Sequence, residues 1–476
     1  MTTTFSPDID LTTISRGSVT APAGFGKTQV IAGTIAQHPE QRFLVLTHTN
    51  AGVRSLHDRI TKFGAHRAAR IETISGFALR LARAFPTGIG WSEESGIDHL
   101  AALAAAQTIV RRPTVRRALF NSYDWIIVDE YQDCSVVQHE IISHLADHIH
   151  TVVLGDPLQA IFGFANQPVI SWPDVQSSFP PAGTLHTPHR WTTTNIELGQ
   201  WLKSIRAPLN AGRPITRPSP ASLEVRRLTR EIHEGALHSC INDGGHNALL
   251  IPDSARDDQI ARYAKTISRR AVVHEAAEQP DLLAFVDTIA DGRAPDVVLL
   301  KTIAFAVTTT TKVASPQVIT LRKNLGSKGQ PGSKVNDLNA LARRFIETQG
   351  ADALAEFIGN LTNGEGRVTY RPGLLNALLA ALRALGAENL TNLADAARKS
   401  IDARRRIAPT PTTRCSVGST LRVKGLEYDR VIIVDPARVP SREHLYVALS
   451  RARRKITLAI PPGGQIGEWF VHGHPN

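Results

Sequence analysis

The chain has 476 residues, of which 42% are hydrophobic and 20% charged, values ordinary for a soluble globular protein with roughly two to four domains. A formal charge of +11 favours a polyanionic partner such as nucleic acid, although a generally basic surface explains the same number. The three cysteines lie far apart, which argues against a disulfide framework or a cysteine zinc site and indicates a reducing compartment. The sequence shows no signal-peptide pattern and no apolar run of bilayer length, so we expect a cytoplasmic protein with no membrane partner.

A phosphate-binding loop is predicted at residues 21–28, which read APAGFGKT. A β-prone stretch precedes this segment and an apolar run follows it, which is typical of a strand–loop–helix unit. In such a loop, backbone N–H groups surround phosphate oxygens, the Lys27 ammonium adds positive charge, and the Thr28 hydroxyl can bind magnesium. The same short pattern also occurs in unrelated turns. The residues that we expect to contact the nucleotide here are Ala23, Gly24, Gly26, Lys27, Thr28 and Gln29.

Two adjacent carboxylates follow an apolar run in residues 126–133, which read IIVDEYQD. The run predicts a buried parallel strand that delivers Asp129 and Glu130 to the carboxyl edge of a sheet. Asp129 is suited to hold a metal ion, and Glu130 to orient and deprotonate a water molecule. Such a pair by itself is more often a solvated strand end. Together with the phosphate loop, however, it predicts hydrolysis of a nucleoside triphosphate.

Strands and helices alternate across residues 18–165, which predicts one doubly wound parallel sheet. Residues 43–46 are predicted to form one of its buried strands. Residues 78–122 are rich in Ala, Leu and Arg and are predicted to be helical, with a loop around residues 86–90.

The second half of the chain is less regular. Residues 247–251 and 430–435 are strand candidates, and residues 336–406 are rich in helix formers. A turn-rich stretch at residues 324–334 predicts a flexible connection. The fold class is therefore α/β, with a helical insertion within a second α/β lobe.

Segments along the chain resemble, in order, the motifs of superfamily 1 DNA helicases of the UvrD/PcrA/Rep type. They are APAGFGKT at residues 21–28, THTN at 47–50, TISGF at 73–77, DEYQD at 129–133, GDPLQAIFGF at 155–164, PHR at 188–190, VKGLEYD at 423–429 and YVALSRAR at 446–453. The family counterparts are the phosphate loop, TFTN, T-x-H-x-F, DEFQD, GDxxQSIYGF, N-Y-R, A-K-G-L-E-F and YVAxTRA. Residues 210–410 carry no segment that resembles a family motif.

The resemblance implies two RecA-like P-loop NTPase lobes with parallel sheets and reduced, mainly helical accessory insertions. It implies a first ATP-binding lobe at residues 1–184, which includes a short insertion at about residues 78–122. The second lobe would begin at residues 185–278 and end at residues 411–476, with the main helical insertion at residues 279–410 between them.

The resemblance also implies ATP and Mg²⁺ as cofactors. In the family, two lobes close on ATP and neutralise the charge that grows on the transferred phosphoryl group. Lys27, Thr28 and Asp129 would hold the phosphates and Mg²⁺, Glu130 would activate the attacking water, and Gln159 would sense the γ-phosphate.

The remaining nucleotide contacts implied by the resemblance come from later motifs. Arg190 and Arg451 would act as arginine fingers from the second lobe, although a surface salt bridge explains either arginine equally well outside its motif. Glu427 would contact the ribose. His189 stands where the family has an adenine-stacking tyrosine, and the glutamine that reads adenine near the N-terminus in the family has no counterpart before Gln29.

Single-stranded DNA, or a junction of single- and double-stranded DNA, is the partner implied by the resemblance. Residues 47–50 (Thr47, His48, Thr49 and Asn50) would contact its phosphates, although His48 replaces the phenylalanine of TFTN. Phe162 and Phe164 are candidates for stacking on bases, a contact that tolerates any sequence. Phe77 is expected in the core.

The leading hypothesis is an ATP-dependent DNA translocase or helicase that acts on single-stranded DNA in the 3′-to-5′ direction, in repair, replication or recombination. The short segment after residue 453 favours translocation over processive unwinding, because the family's strand-separating hairpin usually lies there. One alternative is an ATPase subunit of a Gabija-type antiphage defence system that works with a nuclease. The others are a non-catalytic nucleic-acid-binding scaffold and an enzyme that acts on RNA.

Overall fold

The computed structural model describes residues 9–86, 99–162, 168–215, 221–229, 247–251, 257–275, 279–290, 292–333, 336–405 and 415–470. Contacts divide the chain into two compact units. The first contains the described residues of Met1–Pro218 and Ser441–Arg454, and the second those of Ser219–Pro440 and Lys455–Phe470.

The first unit is built on a parallel sheet of six strands in the order β3-β2-β4-β5-β1-β6. The strands are β1 (Arg16–Thr20), β2 (Phe43–Thr47), β3 (Ala69–Thr73), β4 (Trp125–Val128), β5 (His150–Gly155) and β6 (Pro181–Thr184). The central strands are buried along nearly their whole length, as parallel strands covered on both faces must be. The doubly wound parallel sheet predicted from the sequence is confirmed.

Two helices of the first unit start where a strand end supplies a capping oxygen. Thr49 lies two residues after β2 and Thr73 is the last residue of β3, and each accepts a hydrogen bond from a first-turn N–H group of the next helix. Ser135 and Gln138 form a reciprocal capping box at the start of a third helix. The helices are α1 (Lys27–Gln37), α2 (Asn50–Lys62), α3 (Ile74–Ala84), α4 (His99–Ile109), α5 (Pro113–Ser122), α6 (Val136–Ala146), α7 (Trp172–Ser178), α8 (Ile196–Ser204) and α9 (Arg206–Asn210).

The second unit carries another six-stranded sheet, in the order β7-β12-β11-β8-β10-β9. The strands are β7 (Leu223–Arg227), β8 (Asn247–Ile251), β9 (Ala271–Val273), β10 (Cys415–Ser419), β11 (Tyr428–Val434) and β12 (Ala452–Ile460). The pairs β7–β12, β8–β11, β8–β10 and β9–β10 are parallel. A second α/β fold is therefore confirmed, and both strands predicted in this half are present.

Helices occupy most of the sequence between β9 and β10. After α10 (Asp257–Thr266), which packs on β9 and β10, come α11 (Pro280–Ile289), α12 (Pro295–Thr309), α13 (Pro316–Lys328), α14 (Asp337–Thr348), α15 (Ala351–Thr362), α16 (Pro372–Leu385) and α17 (Leu393–Arg405). Helices α11 to α17 share one apolar core of leucine, phenylalanine and alanine side chains. One more helix, α18 (Arg442–Ser450), belongs to the first unit.

The flexible connection predicted at residues 324–334 is wrong for its first part, because α13 continues to Lys328. Leu321 and Leu325 are each 1% exposed and lie in the core of the helical region. Their burial outweighs the cost of about 1 kcal/mol for a glycine inside the helix at Gly326. The helix ends at Gly329, whose φ of 66° is the left-handed conformation that glycine supplies at helix ends.

Contacts divide the chain differently from the lobes implied by the family resemblance. Residues 185–218 and 441–454, which that resemblance places in the second lobe, belong to the first compact unit. The lobe boundaries stay a prediction, because compact units describe contacts in one conformation. In the described part of the chain, no helix is both long and apolar enough to cross a membrane.

Replacement of Leu325 by alanine tests the packing of α13. We expect Leu325→Ala to destabilise the helical region by about 2–5 kcal/mol, because it leaves a cavity in a buried core. Ile319→Ala is the matched control on the same helix: Ile319 is 58% exposed, so its loss should cost less than about 0.5 kcal/mol. Urea unfolding followed by circular dichroism measures both, and equal small effects would contradict the packed helix.

Candidate functional site

The phosphate loop joins β1 to α1 and has a conformation that requires glycine. Gly24 and Gly26 have φ values of 75° and 85°. A Cβ atom at Gly26 would lie 2.6 Å from Cδ2 of His189, and one at Gly24 would lie 2.7 Å from Cζ3 of Trp191. Two independent constraints, backbone conformation and space, therefore exclude a side chain. Gly26 also stands at the N-cap of α1, where it has no side chain to occupy the first-turn N–H groups.

The two carboxylates after β4 meet the loop lysine. Lys27 Nζ lies 3.2 Å from Asp129 Oδ1 and 2.6 Å from Glu130 Oε1. Burial raises the pKa of Asp129 to about 6; the Lys27 charge opposes this rise and the Glu130 charge adds to it. Burial lowers the pKa of Lys27, but the charges of Asp129 and Glu130 more than offset this, so its pKa is raised and the ammonium stays charged. The sequence-predicted residues Lys27, Asp129 and Glu130 are thus brought together.

Glu130 has an unusual backbone conformation. Its φ of 56° and ψ of 39° place it in the left-handed region, which costs a residue with a side chain about 1–3 kcal/mol. The turn directs the carboxylate toward Lys27 and toward Gln132, whose Nε2 donates to Glu130 Oε2 at 2.7 Å. Gln132 therefore holds the acid that is predicted to activate water.

A buried carboxylate, Asp156, connects the phosphate loop to the next motif. Asp156 follows β5 and is 0% exposed. Its Oδ2 accepts hydrogen bonds from the backbone N–H of Ala23 at 3.2 Å and from Gln159 Nε2 at 3.1 Å. The Asp156 N–H donates to Gln132 Oε1 at 3.0 Å. Through its carboxylate and its backbone N–H, Asp156 thereby connects the loop, the Glu130 motif and the side chain of Gln159.

Gln159 in turn meets Arg451. Arg451 Nη2 donates to Gln159 Oε1 at 3.2 Å and to the Ser450 hydroxyl at 2.9 Å, and its Nε donates to the carbonyl of Val447. Arg451 is 2% exposed and belongs to the same compact unit as the phosphate loop. The predicted γ-phosphate sensor and the predicted arginine finger are therefore direct neighbours.

The PHR segment lies directly against the loop. The backbone N–H of Arg190 donates to the Gly24 carbonyl at 2.9 Å, and its guanidinium donates to the carbonyl of Ser450. Trp191 is fully buried; its ring meets Phe25 edge-on, and its Nε1 donates to the carbonyl of Ala452 at 2.8 Å. His189 covers Gly26. These contacts place His189 and Arg190 beside the residues predicted to hold phosphates.

The chemistry of these side chains fits a nucleotide with a divalent cation. Lys27 supplies one positive charge against two carboxylates, so the group has an excess of negative charge that a hard cation can neutralise. Thr28 lies in the first turn of α1. Its hydroxyl and the Asp129 carboxylate are oxygen ligands of the kind that Mg²⁺ prefers. Gln29, also in that turn, accepts a hydrogen bond from Arg59 at 2.8 Å.

The predicted DNA contacts differ in accessibility. Thr47 is 1% exposed at the end of β2, whereas Thr49 and Asn50 are exposed. Thr49 also caps α2, and His48 Nε2 lies 3.4 Å from the Sγ of Cys134. Thr49 and Asn50 are therefore the members of this segment best placed to meet a ligand, and they lie at the carboxyl edge of the sheet that also carries the phosphate loop.

Four further residues carry predictions from the sequence: two phenylalanines expected to stack on bases, one phenylalanine expected in the core and one glutamate expected to contact the ribose. Phe162 is half-buried in the turn after Gln159, and Phe164 lies outside the described residues. Phe77 is fully buried, as expected of a core residue. Glu427 is exposed in the second unit, between β10 and β11, and its predicted contact with the ribose stays a prediction.

Two family models match the segments that build this site. One describes an AAA domain and matches residues 12–165, and the other describes a UvrD-like helicase C-terminal domain and matches residues 416–459. The first match includes the phosphate loop, the acid pair and Gln159; the second includes Glu427 and Arg451. Together the two matches support a superfamily 1 helicase of the UvrD type. A superfamily 1 helicase binds and uses a nucleoside triphosphate, which agrees with the assembled site.

Other comparisons are more distant. The search of curated proteins found no match. Among solved structures, the chain is similar to the arterivirus nonstructural protein 10 helicase in complex with DNA, with a TM-score of 0.36 and 10% identity. That similarity covers 95% of this chain and 62% of the viral one, so the chain spans less than two thirds of that helicase.

Several residues of the site had no role assigned from the sequence. Gln132 and Asp156 lie inside segments that resemble helicase motifs. Their places in those segments were therefore a sequence signal for both residues. Arg206 ion-pairs with Asp156 but lies in no such segment, and its partner is 50 residues away. Trp191 directly follows the PHR segment, and only its contact with Gly24 shows its position under the loop.

A single methyl group tests the geometry of the loop. We expect Gly26→Ala to weaken nucleotide binding by about tenfold or more, because strain at positive φ and the clash with His189 together exceed about 1.4 kcal/mol. Gly64→Ala is the matched control: its φ is 76°, but nothing lies within 4 Å of a Cβ there. Titration with a fluorescent ATP analogue measures both affinities. Equal affinities in the two variants would contradict the role of the His189 contact.

Proposed function

We propose that this chain is an ATP-dependent translocase that moves 3′-to-5′ along single-stranded DNA and unwinds single/double-strand junctions. The observation that carries the proposal is the continuous polar chain from Lys27 through Glu130, Gln132, Asp156 and Gln159 to Arg451. It joins the side chains that bind a triphosphate to those that sense its terminal phosphate. The matches to the AAA and UvrD-like helicase models support nucleotide-driven action on nucleic acid, and the proposal adds the direction of movement and a role in repair, replication or recombination.

In the proposed reaction, each residue acts through a group with a defined position. Lys27 moves its ammonium from the two carboxylates to the phosphate oxygens, which leaves Glu130 available to accept a proton from the attacking water. Thr28 and Asp129 would hold Mg²⁺, which would neutralise charge on the phosphate oxygens. Arg451 and Arg190 would add further positive charge.

In the proposal, the side chains of Gln159 and Asp156 couple ATP hydrolysis to movement along the DNA strand. Gln159 faces Arg451 at one end of its amide and Asp156 at the other. Because Asp156 also holds the Ala23 N–H of the phosphate loop, a displacement of the loop is transmitted to Gln159 and to the turn that carries Phe162. Stacking of Phe162 on a base would convert this displacement into a step along the strand.

Hydrolysis that depends on Glu130 is the first expected result. We expect single-stranded DNA to stimulate ATP hydrolysis by the purified chain, and Glu130→Gln to lower the rate by about 10²–10⁴-fold, since it removes a general base but keeps the size of the side chain. Lys27→Ala should abolish nucleotide binding as well. The matched control is Glu347→Gln, the same chemical change at an exposed position of α14.

Three outcomes of this assay would contradict parts of the proposal. Stimulation by RNA alone would make the chain an RNA-directed enzyme. Equal rates for Glu130→Gln and wild type would remove Glu130 from the chemistry. No hydrolysis under any condition would exclude a stand-alone motor and favour either a scaffold or an ATPase subunit that needs a partner such as a nuclease, which co-purification from the native host would identify.

A negative charge at Asn50 tests the predicted strand contact. We expect Asn50→Asp to raise the DNA concentration needed for half-maximal stimulation severalfold, because an exposed carboxylate beside the strand repels its phosphates. Asn392→Asp, the same change at an exposed position of the second unit, is the control. Stimulation measured against DNA concentration gives both values, and identical curves would remove residues 47–50 from the DNA path.

A further inference from the structure

A largely buried cation, Arg206, contacts Asp156 and Tyr446, neither of which is predicted to hold phosphate. Arg206 begins α9, and its side chain is 12% exposed. Its guanidinium makes a two-pronged contact with Asp156, from Nη1 to Oδ2 at 2.8 Å and from Nη2 to Oδ1 at 2.7 Å. The same guanidinium lies over the ring of Tyr446 in α18, with Cζ 4.9 Å from the ring centroid.

Both oxygens of the Asp156 carboxylate accept more than one hydrogen bond. Besides Arg206, Oδ2 accepts from Ala23 N and Gln159 Nε2, and Oδ1 accepts from Leu158 N at 3.2 Å. Burial of a carboxylate that is 0% exposed is costly without a paired charge, and Arg206 forms an ion pair with it. Burial lowers the pKa of Arg206, but the charge of Asp156 raises it more, so the guanidinium remains charged.

The two hydrogen bonds from Arg206 set the orientation of the Asp156 carboxylate as well as pairing its charge. A planar guanidinium that binds both oxygens sets the rotation of the carboxylate plane as well as its position. That rotation decides whether Oδ2 points at once to the phosphate loop and to Gln159. The Gln159 amide, in turn, presents its oxygen to Arg451 only while its nitrogen is held by Asp156.

We infer that Arg206 is a positioning residue for ATP hydrolysis: it orients Asp156, which aligns the Gln159 amide with Arg451 and with the phosphate loop. This inference deepens the proposed function and rests on it. Arg206 does not meet the nucleotide itself. Its removal should therefore act on the rate of hydrolysis, which depends on the alignment of Gln159 and Arg451, more than on nucleotide binding, which depends on the loop.

The variants separate alignment from simple charge balance. Arg206→Met removes the guanidinium but keeps an apolar stem against Tyr446. Arg206→Lys keeps a charge that reaches one oxygen instead of two. A double variant, Arg206→Met with Asp156→Asn, removes both buried charges, so that no unpaired ion remains if the single variant is too unstable to purify. The control is Arg371→Met, which breaks the ion pair of the largely buried Arg371 with Glu275, and its contact with the exposed Asp281, in the second unit.

The measurement is DNA-stimulated hydrolysis as a function of ATP concentration, with thermal unfolding of each variant in parallel. We expect Arg206→Met to lower kcat about 10- to 100-fold, the size expected of a misplaced reacting group, while KM changes by less than about threefold. Arg206→Lys should recover part of the lost kcat. The double variant should unfold at a higher temperature than Arg206→Met and still have a low kcat. Arg371→Met should lose stability and keep kcat.

Other results would overturn the inference. If the double variant recovers kcat, Arg206 serves only to neutralise Asp156. If Arg206→Met keeps kcat, or if Arg371→Met loses as much kcat as Arg206→Met at a similar loss of stability, the ion pair is structural. Wild-type protein with no hydrolysis would remove the proposed function and this inference together, whereas an active wild type with any of the preceding results would remove the inference alone.

Discussion

The contact of one buried ammonium with two carboxylates organises the first unit. Lys27 belongs to the loop after β1, and Asp129 and Glu130 belong to the turn after β4, two strands that are separated in the sheet by β5. An unpaired charge in this position would cost several kcal/mol, so each partner requires the others. The strand order places β5 between them, and Asp156 at the end of β5 completes the group. The arrangement of charged side chains at this edge of the sheet therefore follows from which charges can be buried together.

Much of this arrangement could be predicted because its signals are local. A loop with Gly24 and Gly26, an apolar run before Asp129, and threonines at strand ends each specify a short structure from neighbouring residues alone. The strand predicted at residues 247–251 coincides with β8 for the same reason. Parallel pairing then brings strand ends to one edge, so the residues expected to meet the nucleotide phosphates needed no knowledge of long-range contacts.

The remainder depended on contacts between distant residues. Leu321 and Leu325 hold α13 together through a core built from seven helices, which outweighs the turn-forming composition around them. The burial of Thr47 follows from its place at the end of a central strand, and the TFTN-like pattern carries no information about it. Arg206 and Trp191 are ordinary residues of the sequence until their partners are known. Side chains that position the residues of a site are therefore harder to predict from the sequence than the residues that line it.

Glu130 combines the side chain that we propose as the general base with an unfavourable backbone conformation. Its left-handed conformation would suit glycine, and Glu130→Gly would remove both the strain and the repulsion between neighbouring carboxylates, at the loss of one ion pair. Selection for a more durable protein and selection for a working enzyme would therefore pull this position in opposite directions. A relative of this chain with glycine at this position would be expected to keep the fold and to lack ATP hydrolysis.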